Sequence, residues 1–120
     1  MKTHKDLYVW AKSMDLVEEI YRITDSFPDK EKFLMITQLR RAALSVPSNI
    51  AEGATRNSHK EFIQFLYIAL GSTSEIETQL LVAKRIGYLT CDEKLLSELT
   101  VVRKLLIGLI NSIKNKHRNN

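Results

Sequence analysis

Apolar residues recur at intervals of three and four along most of the chain, which is the spacing of one face of an α-helix. The series in the first segment is Leu7, Trp10, Met14, Val17, Tyr21 and Thr24. The later series are Phe33, Ile36, Leu39, Ala43, Val46 and Ile50, then Phe62, Phe65, Ala69, Ser72, Ile76, Gln79, Ala83 and Ile86, then Leu95, Leu99, Val102, Leu106, Leu109 and Ile113. The pattern predicts four helices, over residues 4–26, 29–53, 58–87 and 92–116, and no strand.

Helix-start and helix-stop residues support these boundaries. Thr3 and Ser58 are each followed three residues later by an acidic residue, which is the spacing of an N-terminal capping box. Pro28 suits the first turn of a helix, and Gly87 suits the residue just after one. Because short connections between long helices make neighbours antiparallel, we predict an all-α, up-down-up-down four-helix bundle in a single domain over residues 1–120, with a polar C-terminal tail.

The segment "RRAALSVPSNIAEGATR", residues 40–56, places a proline inside the second helix. Pro47 has no amide to donate to the carbonyl of Ala43, so we predict a kink near Pro47. Ser45 and Asn49 can bond the freed carbonyl or a crossing helix, and a capped kink in a core helix explains most of this segment. The structural motif comprises Ser45, Pro47, Asn49, Glu52, Gly53 and, on the third helix, Glu75.

Two arginines open the same segment. An antiparallel hairpin of helices two and three places Arg40 and Arg41 within about one turn of Glu75. Consecutive helical positions point about 100° apart, so we expect one arginine to pair with Glu75 and the other to face outward, available to an anion.

Helices three and four carry more apolar residues than one buried stripe requires. The additional positions are Ile63, Leu66, Leu70, Leu80 and Leu81 on helix three, and Leu96, Val101, Leu105, Ile107 and Ile110 on helix four. A second stripe must be covered by a neighbouring helix or by another subunit. Wide packing inside the monomer would account for it, but we favour self-association.

Composition narrows the cellular setting and the class of function. The chain has 120 residues, 44% of them apolar, with a formal charge of +4 and a pI near 9.3. A positive excess favours polyanionic partners. The single cysteine, Cys91, excludes an intrachain disulfide and fits a reducing compartment. Neither a signal peptide nor a membrane span is evident, so we expect a cytoplasmic protein without membrane contact.

Residues that carry catalysis or bind metals do not form a recognisable pattern. His4, His59 and His117 each lack a second ligand at the i+3 or i+4 spacing of helical metal sites. Cys91 is followed by two acidic residues, which disfavour the thiolate. The glycines are isolated, so no phosphate-binding loop is present. We therefore expect no enzyme activity, no metal and no cofactor.

Two functional hypotheses follow from the charged residues. In the first, an oligomer binds RNA or DNA phosphates without strong sequence readout. The candidate contacts are Arg40, Arg41, Arg56, Lys60, Lys84, Arg85, Arg103, Lys104, Lys114, Lys116 and Arg118. In the second, a structural or adaptor oligomer binds a protein partner, and the same charges only solvate its surface.

The central motifs resemble those of a known family. The pattern QLRRA-x-x-SVPSNIAEG, followed by LGS-x-x-E, is similar to that of the four-helix-bundle 23S rRNA intervening-sequence proteins, over residues 5–113. The resemblance implies a homopentameric barrel. The related accessory proteins of diversity-generating retroelements share that barrel and bind nucleic acid through basic surfaces. The family name records the genomic context of these genes, in intervening sequences of bacterial large-subunit rRNA genes.

Overall fold

The computed structural model of the chain describes residues 3–90 and 92–119. Its four α-helices are α1 (Tyr8–Thr24), α2 (Met35–Ala54), α3 (His59–Arg85) and α4 (Glu93–Asn119). Each helix packs against the next, and α4 also packs against α1, whereas no Cα atoms of the diagonal pairs α1–α3 and α2–α4 come within 8 Å of each other among the described residues. Helices α2 and α3 are antiparallel, since Ser45 meets Ser72 and Gly53 lies against Phe62. The predicted all-α four-helix bundle is confirmed.

The ends of the first, second and fourth helices differ from the predicted ones. Residues His4–Asp6 form a 3₁₀ turn, and α1 starts only at Tyr8, so Leu7 and not Thr3 occupies its N-cap position. Residues Asp29–Glu31 form a second 3₁₀ turn, and α2 starts at Met35 because the backbone of Leu34, at φ −117° and ψ −98°, is not helical. In contrast, α4 continues through the predicted tail to Asn119, since the residues after Gly108 include neither glycine nor proline.

Both ends of α3 are capped as the sequence indicates. The Ser58 hydroxyl accepts a hydrogen bond from the amide of Glu61, at 3.2 Å. At the other end Gly87 has a φ of +89°, which suits glycine because it has no Cβ. The amide of Tyr88 donates to the carbonyl of Ala83, and that of Gly87 donates to Lys84, which together form a Schellman motif.

The core lies along the centre of the bundle, and on α1 it follows the predicted stripe only in part: Val17 and Thr24 are buried as predicted. Leu16 and Ile20 are fully buried, whereas Met14 and Tyr21 are 39% and 37% exposed. Large apolar residues occupy two adjacent stripes of α1, and periodicity alone does not show which one meets the other helices. Phe33 is 84% exposed because it lies in the connection before α2 and not within the helix.

The seam between α2 and α3 is the most extensive helix contact, and it contains the proline motif. The α-helix α2 runs through Pro47, which is buried, and the predicted kink stays a prediction. The Asn49 amide donates to the carbonyl and the hydroxyl of Ser45, at 2.8 and 2.9 Å, and the Ser45 and Ser72 hydroxyls are 2.8 Å apart. The polar residues around the proline therefore link α2 to α3 and do not bond the carbonyl of Ala43.

The α1–α2 and α3–α4 connections lie at the end of the bundle opposite the α2–α3 turn, and they cover the core there. The rings of Phe27 and Tyr88 are 5.7 Å apart, and the Tyr88 hydroxyl donates to Glu31. Within the part of the chain that the structure describes, no helix is long and apolar enough to cross a membrane.

Candidate nucleic-acid interface

The predicted basic residues separate into three groups, because alternate helices run in opposite directions. Arg56, Lys60, Lys114 and Lys116 lie toward the end of the bundle that holds the α2–α3 turn. Arg40, Arg41, Lys84 and Arg85 lie toward the other end, and Arg103 and Lys104 lie in the middle of α4. The structure does not bring these residues together in one patch.

Three residues considered in the sequence cannot be placed in these groups. The side chains of His117 and Arg118 lie outside the described part of the chain, and so does the whole of Cys91.

Two basic side chains lie over aromatic rings at the end of the bundle that holds the α2–α3 turn. The Arg56 guanidinium pairs with Glu52 and lies 4.8 Å from the centre of the Phe65 ring. Lys114 donates to the Tyr67 hydroxyl, at 2.7 Å, and its ammonium lies 5.1 Å from the centre of that ring.

Other basic side chains at this end remain open to solvent. On α1 the Lys12 ammonium lies 5.6 Å from the ring of Tyr8, which is 63% exposed. Lys60 and Lys116 are exposed and contact no charged or hydrogen-bonding partner among the described residues.

The net positive charge of the protein is concentrated in this half of the bundle. When each helix is divided at its midpoint, the half with the α2–α3 turn has six basic side chains against three acidic ones, counting only described side chains. The other half has ten of each. We call this surface the basic end, and it consists of Lys5, Lys12, Arg56, Lys60, Lys114 and Lys116.

The predicted pairing of Arg40 or Arg41 with Glu75 inside one chain is wrong. Arg40 turns toward α1, where its Nε donates to the Thr24 hydroxyl at 2.8 Å and its Nη2 donates to Asp25 at 2.9 Å. It also donates to the carbonyl of Tyr21, at 3.2 Å, in the last turn of α1. A cation is favourable there because the exposed carbonyls at a helix C-terminus carry partial negative charge.

The remaining predicted residues are divided between structural contacts and open surface. Lys84 lies 3.2 Å from Asp92, a carboxylate that is only 3% exposed. Arg103 donates to Thr73, at 3.3 Å, and to Glu77, at 3.4 Å, across the α3–α4 seam. Arg85 and Lys104 are exposed and have no such partner within the described residues.

The sequence reasoning missed Lys5, Lys12, Tyr8 and Tyr67 as members of this surface. The predicted topology could have placed Lys5, Lys12 and Tyr8 near the lysines of the fourth helix, because an up-down-up-down bundle brings the start of the first helix beside the end of the fourth. Spacing along one helix could not show that these residues lie together, since they come from different helices.

On α1, hydrogen bonds from Arg22 to Glu19 lower the pKa of Glu19 and raise that of Arg22.

The outer face of α3 is apolar and low in charge. Its exposed apolar side chains are Tyr67, Ile68, Leu81 and Val82, with Ile86 just after the helix, and the exposed residues between Ile68 and Leu81 are small or polar. Between Phe62 and Ala83 the charged residues are Glu75 and Glu77.

A second surface with exposed apolar side chains is the groove between α1 and α2, where Tyr21 and Leu44 lie next to Arg41.

Titratable residues do not converge as they would at a metal site. Within residues 3–90 and 92–119, no group of three or more His, Cys, Asp or Glu side chains is close enough to hold a metal ion.

Comparisons with known proteins identify a family and solved structures that are similar. Residues 5–108 match the family model of the 23S rRNA-intervening sequence protein. A crystal structure of a protein of unknown function from the S23 ribosomal protein family of Bacteroides thetaiotaomicron is similar, with 31% identity and a TM-score of 0.79. The match covers 86% of this chain and 95% of the other. A comparison with curated proteins found no match. The chain therefore belongs to the family of 23S rRNA-intervening sequence proteins.

Proposed function

We propose that this protein is a non-catalytic, self-associating helical bundle that binds the phosphates of RNA or DNA through its basic end. The observation that carries the proposal is the separation of charge: one half of the bundle holds the whole positive excess of the described side chains, and the other half is neutral. A local positive field attracts a polyanion much more effectively than the same charge spread evenly.

The chemistry of the basic end suits contact with the nucleic-acid backbone. Lys60 and Lys116 have no charged or hydrogen-bonding partner among the described residues, so they can neutralise phosphates without breaking an interaction in the protein. The exposed ring of Tyr8 lies beside Lys12 and offers a surface for base stacking. Contacts to phosphates carry no sequence information, so we expect little sequence preference.

Self-association would multiply the basic end. The apolar outer face of α3 would be covered by another copy, and the family resemblance favours a homopentamer. A closed ring repeats the basic end once per subunit, and several weak phosphate contacts then act together on one strand. The single cysteine and the family's rRNA-related name support a cytoplasmic site of action.

A titration with charge-matched variants tests this proposal. Fluorescence anisotropy would measure the binding of a short single-stranded RNA and a short DNA duplex at two salt concentrations. The test variant is Lys60→Gln with Lys116→Gln, at the basic end. The control is Arg85→Gln with Lys104→Gln, which removes the same charge from exposed, unpartnered positions elsewhere in the described structure.

We expect the test variant to weaken binding more than the control does. Its affinity should also depend less steeply on salt, with the slope falling by about 1 for each phosphate that the protein no longer neutralises. Equal decreases of affinity in the two variants would show that only net charge matters and would contradict a localised basic end.

A structural or adaptor role is the second candidate, and the exposed apolar face of α3 favours it. If that face binds a different protein, the basic side chains only solvate the surface. Absence of RNA and DNA binding at low salt would leave the adaptor role as the better explanation.

A further inference from the structure

We propose that Arg41 of one copy forms an ion pair with Glu75 of the next copy in the oligomer. This inference depends on the proposed self-association and names the contact that directs it. The two residues belong to the two central motifs of the chain, QLRRA and LGS-x-x-E, and the structure does not pair them within one molecule.

Arg41 and Glu75 both face outward, whereas a charged residue near each of them in the sequence forms an ion pair within the molecule. Arg40 pairs with Asp25, whereas Arg41 is exposed and has no ion pair or hydrogen bond among the described residues. On α3, Glu77 pairs with Arg103. Glu75 is exposed and accepts one long hydrogen bond, at 3.3 Å, from the Gln79 amide.

The surroundings of the two residues are complementary in charge and similar in polarity. Arg41 lines an open groove between α1 and α2 with Tyr21, Thr37 and Leu44. Glu75 lies on the outer face of α3, about two turns from the exposed Ile68 on one side and Val82 on the other. No acidic residue lies between Glu31 and Glu52, and no basic residue lies between Lys60 and Lys84. An apolar contact around the pair would exclude water and strengthen the attraction.

The positions of the two surfaces fit a head-to-tail ring. The α2–α3 register places Ser45 beside Ser72, so Arg41, one turn before Ser45, and Glu75, about one turn after Ser72, are at the same height along the bundle. A ring axis parallel to the helices preserves that height between copies. α1 and α3 stand at opposite corners of the bundle, because none of their Cα atoms come within 8 Å of each other among the described residues. The groove beside α1 can therefore meet the α3 face of the next copy, which is the heterologous contact that a closed ring requires.

Charge reversal with mixing tests the pair. The variants are Arg41→Glu, Glu75→Arg, their double variant, and an equimolar mixture of the two single variants. Multi-angle light scattering over a concentration series measures mass, and circular dichroism checks that each variant is folded. Lys104→Glu is the matched control, since Lys104 is also exposed and without a charged or hydrogen-bonding partner among the described side chains.

We expect each single reversal to place like charges across the interface and to raise the dissociation constant of the oligomer roughly tenfold or more. The double variant should regain the wild-type mass. The mixture should also form oligomers, because the glutamate introduced at position 41 of one chain then meets the arginine introduced at position 75 of another. A ring with an odd number of subunits keeps one like-charge contact, so the dissociation constant of the mixture should lie between that of the single variants and that of the wild type. Lys104→Glu should behave as the wild type does.

Three results would overturn the proposal. Single reversals with the mass and dissociation constant of the wild type would show that the oligomer forms without this pair. Rescue in the double variant, with no association between the two single variants in the mixture, would show that the pair is within one chain. A monomeric wild type would refute the proposed self-association and this ion pair with it.

Discussion

Gly53 shows at the scale of one residue how closely α2 and α3 approach. A Cβ atom at this position would lie 2.7 Å from the Cβ of Phe65 and 2.9 Å from a ring carbon of Phe62. The glycine in "IAEG" is therefore explained by packing: a side chain there would push the two helices apart, although glycine is a poor helix former.

Replacing Gly53 by alanine should lower stability. The overpacking should cost about 1 to 3 kcal/mol and exceed the gain in helix propensity of at most about 1 kcal/mol. Chemical denaturation would measure the free energy of unfolding. Gly108→Ala is the control, because an added Cβ there meets no atom within 4 Å, and we expect it to stabilise the protein. Equal effects of the two substitutions would contradict the close approach of the two helices.

Arg40 and Arg41 illustrate the limit of sequence reasoning at this scale. Adjacent positions on a helix point in different directions, so it was correct that only one of them would be held inside the molecule. The sequence did not reveal which helix would receive it. The electrostatic attraction of the C-terminus of α1, together with Asp25 and the Thr24 hydroxyl, decided the orientation of Arg40.

At the scale of helices, the serine pair beside Pro47 joins α2 to α3. The Ser45 hydroxyl contacts Ser72 and also accepts from Asn49, so three side chains share one network across the seam. Thr73 and Thr24 also connect helices, since they accept from Arg103 and Arg40 while they donate to carbonyls of their own helices. The network around the proline is thus a link between helices and not only a local cap.

A double-mutant cycle of Ser45→Ala and Ser72→Ala should reveal this link. Each single change should destabilise the protein by about 1 kcal/mol, because a half-buried hydroxyl loses its partner. The double variant should cost less than the sum of the two, with a coupling of about 0.5 to 1.5 kcal/mol. The measurement is the free energy of unfolding of all four proteins, and simple additivity would show that the two hydroxyls act independently.

At the scale of the whole molecule, the up-down-up-down topology places the excess positive charge at one end of the bundle. The basic side chains are distributed along the sequence, and α1, α2, α3 and α4 each contain some of them. The alternating direction of the helices brings the N-terminal part of α1, the turn after α2 and the C-terminal part of α4 to one end. Among the described side chains, acidic residues balance the basic ones only at the other end.

The exposed apolar face of α3 predicts the mass of the protein in solution. Light scattering at micromolar concentration should give a mass well above the 13.8 kDa of one chain, since such a face is normally covered. Moderate salt should have little effect on this mass if apolar packing dominates it, whereas nucleic-acid binding should weaken steeply. A monomer under these conditions would contradict the proposed self-association.

The sequence by itself determined the number of helices, the caps of α3 and most of the core. These features depend on interactions between residues close in the chain, such as Ser58 with Glu61, and on an apolar period that each helix carries alone. The first turns of α1 and α2 were not predictable in the same way, since weak helical signals there also fit a 3₁₀ turn.

Only the tertiary structure decided which neighbour each side of a helix meets. Periodicity gives the direction of a side chain about its own helix axis, but the position of the next helix depends on how all four helices pack together. That packing chose Leu16 and Ile20 over Met14 and Tyr21 for the core. It also turned Arg40 toward α1, left Arg41 and Glu75 on the surface, and gathered lysines from distant segments at the basic end.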